Sequence, residues 1–360
     1  MGNRPPGTWG SLGTPTTVPV PKPLGAVEVL APARLHMGFI DPAGTAAGRR
    51  FGSVGMALDQ PHTRVLVSAG DSLQVSGAEA PRATRYARAL LDHLSMAHRV
   101  SVEVVEAMPA HAGLGSGTQL ALALGAALAA QAGRPLSAAR TASLLDRGGR
   151  SGIGVGAFEQ GGFLVDGGKA ASEGTVEPPP IIARAEVPSA WRVVLVFDQA
   201  FRGLSGERER TAFRELAQRS PPGVHEHATL VLMGMLPALA EANLRTFGEA
   251  ITELQERVGD HFAPAQGGRF ASPAVTEALA WMRAREIHGV GQSSWGPTGF
   301  GFCADHAQAQ HLITQLEARR RPGSGLQFTI ATPRNTPARL QPIVSGDGTA
   351  SDTLAASADH

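Results

Sequence analysis

The sequence predicts an α+β protein of two lobes with a ligand cleft between them, and three observations point there. Short apolar alternations that read as strands interleave with segments of helical period through the middle of the chain. Two glycine-rich turns, Pro109 to Gln119 (PAHAGLGSGTQ) and Gly291 to Phe302 (GQSSWGPTGFGF), lie far apart in sequence, and each leads straight into a helix or a strand. Amides freed by glycine at the start of a helix hold anionic oxygens with little need of lysine, so this pair of turns is expected to enclose a phosphorylated ligand.

The elements follow in chain order. Residues 1 to about 25 are dominated by Pro, Gly, Thr and Ser and are expected to form a disordered tail. Val27 to Phe39 and Thr63 to Val75 alternate with period two, and Val100, Val102 and Val104 place a strand just before the first glycine turn. A buried helix runs from about Thr118 to Ala132 and stops where Gly133 and Pro135 cannot continue it, after which Ser137 caps another. Phe247, Ile251, Leu254 and Val258 recur at helical spacing, and Ser272 with Pro273 is a cap followed by proline at the first helical position. Asp305 caps a helix expected to reach Arg321, and Leu326, Phe328 and Ile330 alternate as a last strand. The lobes are expected at 26–187 and 188–333, dividing near Arg184 to Trp191, with a second disordered tail over 334–360.

Composition narrows the function classes. Lysine and arginine number 32 against 31 acidic residues, a net charge of +1 that gives no field for gripping nucleic acid. The single cysteine, Cys303, excludes an internal disulfide and a cysteine zinc cluster and fits a cytoplasmic protein. The longest apolar stretch, Leu120 to Ala132, falls short of the ~20 residues that cross a bilayer, and no secretory signal is read at the start.

Several residues are candidates for chemistry. Gly113, Leu114, Gly115, Ser116, Gly117 and Thr118 form the first turn and open a helix, the arrangement of a phosphate cradle; a tight turn with glycines placed only for geometry is the alternative. Arg34 and His36 share one face of their strand while Leu35, Met37 and Phe39 share the other, so an arginine fork and an imidazole would face the cleft. Asp41, just beyond, would orient one of them or cap a turn. Glu159 sits in an apolar, glycine-rich run and needs a partner, a cation or Arg34. Arg202 is available for a phosphate, and Ser293, Ser294, Gly296 and Thr298 for phosphate oxygens, with Trp295 offering a face on which an aromatic substrate could stack.

Gly113 to Gln119 (GLGSGTQ) resembles the phosphate loop of the GHMP kinase superfamily, the group of galactokinase, homoserine kinase and mevalonate kinase. Those kinases carry an aspartate in a Ser-Gly-x-Asp segment, and here the segment reads Ser151-Gly152-Ile153-Gly154. Together with Pro32 to Asp41 (PARLHMGFID), Gly152 to Gly168, Arg202 to Glu207 (RGLSGE) and Gly291 to Thr298, the loop resembles the beta-ribofuranosylaminobenzene 5'-phosphate synthases within that superfamily. The resemblance implies a GHMP-kinase-like fold and decarboxylating transfer of ribosyl phosphate from phosphoribosyl pyrophosphate to 4-aminobenzoate, or 4-hydroxybenzoate, in tetrahydromethanopterin biosynthesis. It also implies Mg2+ on the pyrophosphate and a homodimer. Arg34, His36, Asp41 and Glu159 are the expected catalytic group. The competing expectations are an ATP-dependent small-molecule kinase and a non-catalytic binder of phosphorylated metabolites.

Overall fold

The computed structural model describes residues 25–44, 48–170, 177–201, 203, 211–212, 215–216, 223–294, 296–321 and 323–343. Its centre is a long antiparallel pair, β1 (Ala26–Asp41) and β2 (Arg49–Ala69). β4 (Val100–Glu106) extends the sheet beyond β2, and β3 (Gln74–Gly77) runs parallel to β4 at the edge. The far end of β2 carries β5 (Phe163–Asp166), which pairs in turn with β7 (Ile181–Ala185), and also the two-residue β6 (Lys169–Ala170). The strand expected from Thr63 to Val75 is therefore divided between β2 and β3. The half of β2 from Arg49 to His62 escapes the sequence because glycines and Pro61 interrupt its pattern.

β1 changes its environment along its length. Val27, Val29 and Ala31 pack beneath α1 (Ala80–His93) and α2 (Ser116–Ala132). A register shift between Ala31 and Ala33 follows, and Ala33, Leu35 and Met37 join a different core. A second shift lies between His36 and Gly38, where Gly38 takes φ of +142°. One extra residue there puts Phe39 on the face of His36, not on that of Leu35 and Met37 as strict alternation expects. The two rings meet with centroids 4.6 Å apart.

The second sheet is antiparallel in the order β11-β8-β10-β9, with β8 (Arg192–Asp198), β9 (His288–Gln292), β10 (Gly299–Cys303) and β11 (Leu326–Ala331). The passage from the first sheet to the second lies in 186–191, between β7 and β8. β8 is apolar from Val193 to Phe197 because both faces are covered. Val194 and Val196 pack against α8 (Pro273–Arg283) and α9 (His306–Arg319). Val193 and Leu195 share the other core with Phe247, Ile251 and Leu254 of α7 (Leu244–Gln266) and with Leu35 and Met37 of β1. One core thus serves both lobes.

Before α7 come α5 (Val224–Thr229), a π-helical stretch Leu230–Met235 and α6 (Leu236–Ala240). The expected caps are formed: Ser137 ahead of α3 (Ala138–Leu144), Ser272 and Asp305 accept the amides of Arg140, Val275 and Gln308. Cys303 is buried in β10. Among the described residues no helix is long and apolar enough to cross a membrane.

The C-terminal tail expected over 334–360 is corrected for its first ten residues. β12 (Arg339–Ile343) pairs antiparallel with β1, register Ala26 to Ile343, and Asn335 exchanges hydrogen bonds with the Val187 backbone at 2.8 and 2.9 Å. An unfilled edge of β1 supplies the partners that local composition does not. Residues 1–24 and 344–360 lie outside the described residues.

Candidate active site

The two glycine turns meet directly. A Cβ on Gly113 would stand 2.2 Å from the Ser293 carbonyl oxygen, and one on Gly296 would stand 2.3 Å from the Ala112 carbonyl. Ser293 Oγ donates to the Gly113 carbonyl (2.8 Å) and accepts the His36 amide (3.1 Å), while the Ser294 amide donates to the His36 carbonyl (3.2 Å). Where the two turns meet, backbone packs on backbone, which leaves no room between them for the ligand expected there. Ser293 and Gly296 are the joint, with the Ser293 hydroxyl engaged by protein.

Beside the joint opens a polar cavity of about 440 Å³, within the rough 300–1,000 Å³ of small-ligand pockets. Arg34, His36 and Phe39 come from β1, Thr118 from α2 and Gly154 from α4 (Ile153–Glu159). The loop 146–151 and Ser294 complete it. Arg34 is held by its amide to the Leu114 carbonyl (3.0 Å) and by Nη1 to the Gly113 carbonyl (2.9 Å). Gly113 and Gly115 take φ of +83° and +80°, which a non-glycine residue adopts only with strain. That turn leaves the Ser116 and Gly117 amides at the start of α2 without intrahelical acceptors, while the Thr118 amide donates to the Gly115 carbonyl (3.0 Å). Leu114 between them is a core residue.

Gly154, the position where the resemblance to the GHMP kinases implies an aspartate, stands on the cavity. A Cβ there would lie 3.2 Å from Thr118 Cγ2. Gln119 Nε2 donates to the Gly154 carbonyl at 2.7 Å and ties α2 to α4. Asp166, a fully buried carboxylate that could geometrically replace the missing one, is engaged elsewhere. It accepts the Gly152 and Gly168 amides at 2.9 Å each and the Ser53 and Ser151 hydroxyls. Burial raises its pKa, against which these donors act. Asp166 thus anchors the loop that precedes α4.

His36 is 1% exposed, and neither ring nitrogen has a hydrogen-bond partner. Its pKa lies well below 6.5, first through burial and then through the charges of Arg34 and Arg150, against an opposing hydrogen-bond contribution from the His36 backbone. A neutral imidazole offers one donor and one acceptor. The same side chain also lines a smaller cavity of about 30 Å³ with Phe39, Gln255, Phe262, Gln292 and Ser294. A buried neutral histidine has a pH signature: below its ordinary 6.5 the unfolded chain takes up a proton that the folded one refuses. Stability is therefore complete above that pH and falls below it, by up to about 1.4 kcal/mol per pH unit for each such proton. His227, also lowered by burial, adds a second. In urea unfolding between about pH 5 and 7.5, His36→Asn is expected to remove one proton from this slope. An unchanged slope would mean that His36 titrates normally in the fold.

Other expected site residues fall elsewhere. Asp41 accepts the Gly44 amide at 2.8 Å and closes a turn off the cavity. Glu159 ends α4 on the surface; partial desolvation raises its carboxyl pKa, and the Ala138 amide opposes this. It does not approach Arg34, because its position in α4 faces away from the cavity. Thr298 is buried, with its hydroxyl unpartnered and its carbonyl accepting the Ser293 amide at 2.9 Å. Arg202 and Trp295 lie outside the described residues. Sequence reasoning missed Arg147 and Arg150 on the cavity and Arg82 beside Gly117. Their one signal is the spacing of two arginines about a glycine pair, Arg147-Gly148-Gly149-Arg150, just before the Ser-Gly-x-Gly segment.

Residues 82–162 match the family described as GHMP kinases N terminal domain, and 235–321 match GHMP kinases C terminal. The beta-ribofuranosylphenol 5'-phosphate synthase of Methanothermobacter thermautotrophicus is 34% identical over 285 residues, which are 74% of this chain and 85% of that protein. Its namesake in Archaeoglobus fulgidus is 37% identical over 291 residues, 78% and 89% of the two chains. Among solved structures, L. major mevalonate kinase in complex with R-mevalonate aligns with a TM-score of 0.62 at 14% identity, covering 88% of this chain and 99% of that one. Homoserine kinase from Cytophaga hutchinsonii aligns with a TM-score of 0.58 at 16% identity, covering 88% and 97%. At those identities the structures show the shared fold alone, while the synthases share a third of their residues over most of their length. The chain belongs to the beta-ribofuranosylphenol 5'-phosphate synthase family, within the GHMP kinase superfamily.

Proposed function

We propose that the protein transfers ribosyl 5-phosphate from phosphoribosyl pyrophosphate to a benzoate with an electron-donating para group, 4-aminobenzoate or 4-hydroxybenzoate, with loss of carbon dioxide and pyrophosphate. The supporting observation is a cavity lined by Arg34, Arg147 and Arg150 beside a glycine loop, with Gly154 in place of the kinase carboxylate. The bond from ribose C1 to pyrophosphate breaks, and the ring carbon bearing the carboxylate bonds to C1. The carbon–carboxylate bond then gives its electron pair back to the ring. Carbon dioxide leaves in place of a ring proton, so no side chain need act as base. What the protein must supply is neutralisation of the departing diphosphate, alignment of two reactants and exclusion of water from C1.

The chain's groups suit those tasks. Amides at the start of α2, with Ser116 and Thr118, would hold diphosphate oxygens, and Arg34 would neutralise charge as it develops. His36, neutral and unpartnered, would donate a hydrogen bond to the leaving oxygen or to the acceptor. Among the described residues no group of three or more His, Cys, Asp and Glu could cage a metal, and the cavity offers one carboxylate, Asp146. Mg2+ would therefore arrive on the diphosphate as part of the substrate, with the Asp146 carboxylate and the Thr118 hydroxyl as oxygen donors on the cavity. The step so assigned belongs to tetrahydromethanopterin biosynthesis.

The test is release of labelled carbon dioxide from carboxyl-labelled 4-aminobenzoate and 4-hydroxybenzoate, each with phosphoribosyl pyrophosphate and Mg2+. Release that requires both substrates is expected, and the better acceptor identifies the para group. No release from either acceptor, with ATP-dependent phosphorylation appearing instead, would overturn this reading in favour of a kinase.

A further inference from the structure

We infer that the small cavity beside His36 seats the para group of the aromatic acceptor, read by the His36 ring and the Ser294 hydroxyl, and so turns the acceptor's carboxylate-bearing carbon toward the larger cavity. Naming the ligand a para-substituted benzoate rests on the proposed reaction; that a neutral hydrogen-bonding group belongs at this place does not. The two cavities adjoin, because His36, Phe39 and Ser294 line both. The smaller, of about 30 Å³, exceeds the roughly 10–15 Å³ that one water molecule needs, and a hydroxyl or amino group is of that size.

Hydrogen bonding around the small cavity is closed except at two side chains. Gln255 Nε2 donates to the Met37 carbonyl (2.6 Å), and its Oε1 accepts the Gln292 amide (2.7 Å). Gln292 Oε1 accepts the Ala271 amide (2.7 Å), and its Nε2 donates to the Ser294 carbonyl (3.0 Å) and to Gln266 Oε1 (3.3 Å). Gln266 Nε2 donates in turn to the Arg269 carbonyl (2.8 Å). Among the described residues, that leaves the ring nitrogens of His36, which is 1% exposed, and the Ser294 hydroxyl without a partner. A neutral imidazole and a hydroxyl supply donors and acceptors together, so they can satisfy either a phenol or an aromatic amine. Ser294 also holds φ of +55°, a conformation costly for serine and characteristic of working sites. Its amide on the His36 carbonyl (3.2 Å) and its carbonyl on Gln292 fix it beside the imidazole.

Charge decides which end of the acceptor enters. Arg269, the one charged side chain on the small cavity among the described residues, already meets Asp260 (2.8 and 3.0 Å) and Glu256 (3.1 Å). A carboxylate placed there would find no spare cation and would lie against the apolar Phe39, Val258 and Phe262. Arg34, Arg147 and Arg150 line the larger cavity instead. The carboxylate therefore stays on that side, and the ring carbon that bears it, opposite the seated para group, faces the ribose.

Calorimetric titrations of the full chain, with Mg2+ and pyrophosphate present so that no turnover occurs, test this. 4-Hydroxybenzoate is expected to bind roughly tenfold more tightly than 4-methylbenzoate, the worth of about one hydrogen bond. Terephthalate, which carries a second carboxylate at the para position, should bind more weakly than either. Ser294→Gly and His36→Phe are each expected to cut the preference for hydroxyl over methyl to about threefold or less. Glycine adopts the φ of Ser294 without strain, so Ser294→Gly should melt no lower than wild type, which excludes misfolding as the cause. A wild type that binds hydroxyl and methyl alike or binds neither, terephthalate as tight as 4-hydroxybenzoate, or a preference that survives both substitutions would overturn the para-group pocket. The preference in a protein that releases no carbon dioxide would leave the pocket standing and remove the reaction; carbon dioxide release without the preference would do the opposite.

Discussion

Arg34→Ala is expected to lower kcat/KM for carbon dioxide release by roughly 100-fold or more while the chain still folds. Its Nη1 donates to the Gly113 carbonyl, so the guanidinium joins the glycine loop and faces the cavity at once. Charged hydrogen bonds contribute about 1.5–3 kcal/mol each, and losing two of them spans about two to four powers of ten in rate. Folding should survive because the Arg34 amide keeps its bond to Leu114, and Ser293 Oγ still donates to the Gly113 carbonyl. Arg34→Lys restores charge without the fork, so partial recovery is expected. Activity near wild type would reduce Arg34 to a pin for the loop. A collapse of melting temperature equal to the loss of activity would make its role structural.

Gly113→Ala is expected to destabilise the fold by about 2–5 kcal/mol, from left-handed strain of about 1–2 kcal/mol and overpacking of about 1–3 kcal/mol. The added methyl would meet the Ser293 carbonyl at 2.2 Å and Gly296 Cα at 3.0 Å, neither of which can rotate aside. Gly115→Ala is the control. Its φ is nearly the same, but its methyl would meet only the Arg34 side chain, at an ordinary 3.5–3.7 Å. It should therefore show the strain alone. Denaturant unfolding of both variants separates the two contributions, and equal losses would mean that the turns do not bear on each other as described.

What was legible in the sequence is what local chemistry dictates. Ser137, Ser272 and Asp305 cap helices because a short oxygen-bearing side chain reaches the first free amides wherever the chain enters a helix. The glycine loop was equally plain, since its left-handed turns need glycine. Arg34 and His36 were placed on one face because a strand has period two, and the same rule failed two residues later. Gly38 is the one local sign of the bulge, and tertiary packing also needs a glycine there, with Leu254 at 3.0 Å from where a Gly38 Cβ would be. α1 went unread for lack of a capping side chain, Glu79 at its start being left-handed and making no cap bond. Arg82, Arg147 and Arg150 went unread for another reason: apart from the glycine pair between the last two, an arginine that lines a cavity and one that faces water have the same local sequence. Only the meeting of α1, α2 and the loop before α4 distinguishes them.

The core shared by Leu35 and Met37 of β1 with Phe247, Ile251 and Leu254 of α7 constrains how substrates come and go. Parting the lobes like jaws would strip water-excluding contacts from fully buried aromatic and aliphatic side chains, at about 25 cal/mol for each Å² of apolar surface uncovered. The Gln255 side chain, which donates to the Met37 carbonyl at 2.6 Å, would be torn from its partner as well. A ligand would therefore enter at the rim of the cavity and not by parting of the lobes. The two lobes are thus fastened along one continuous seam, and neither half could be exchanged for that of a relative without refitting it.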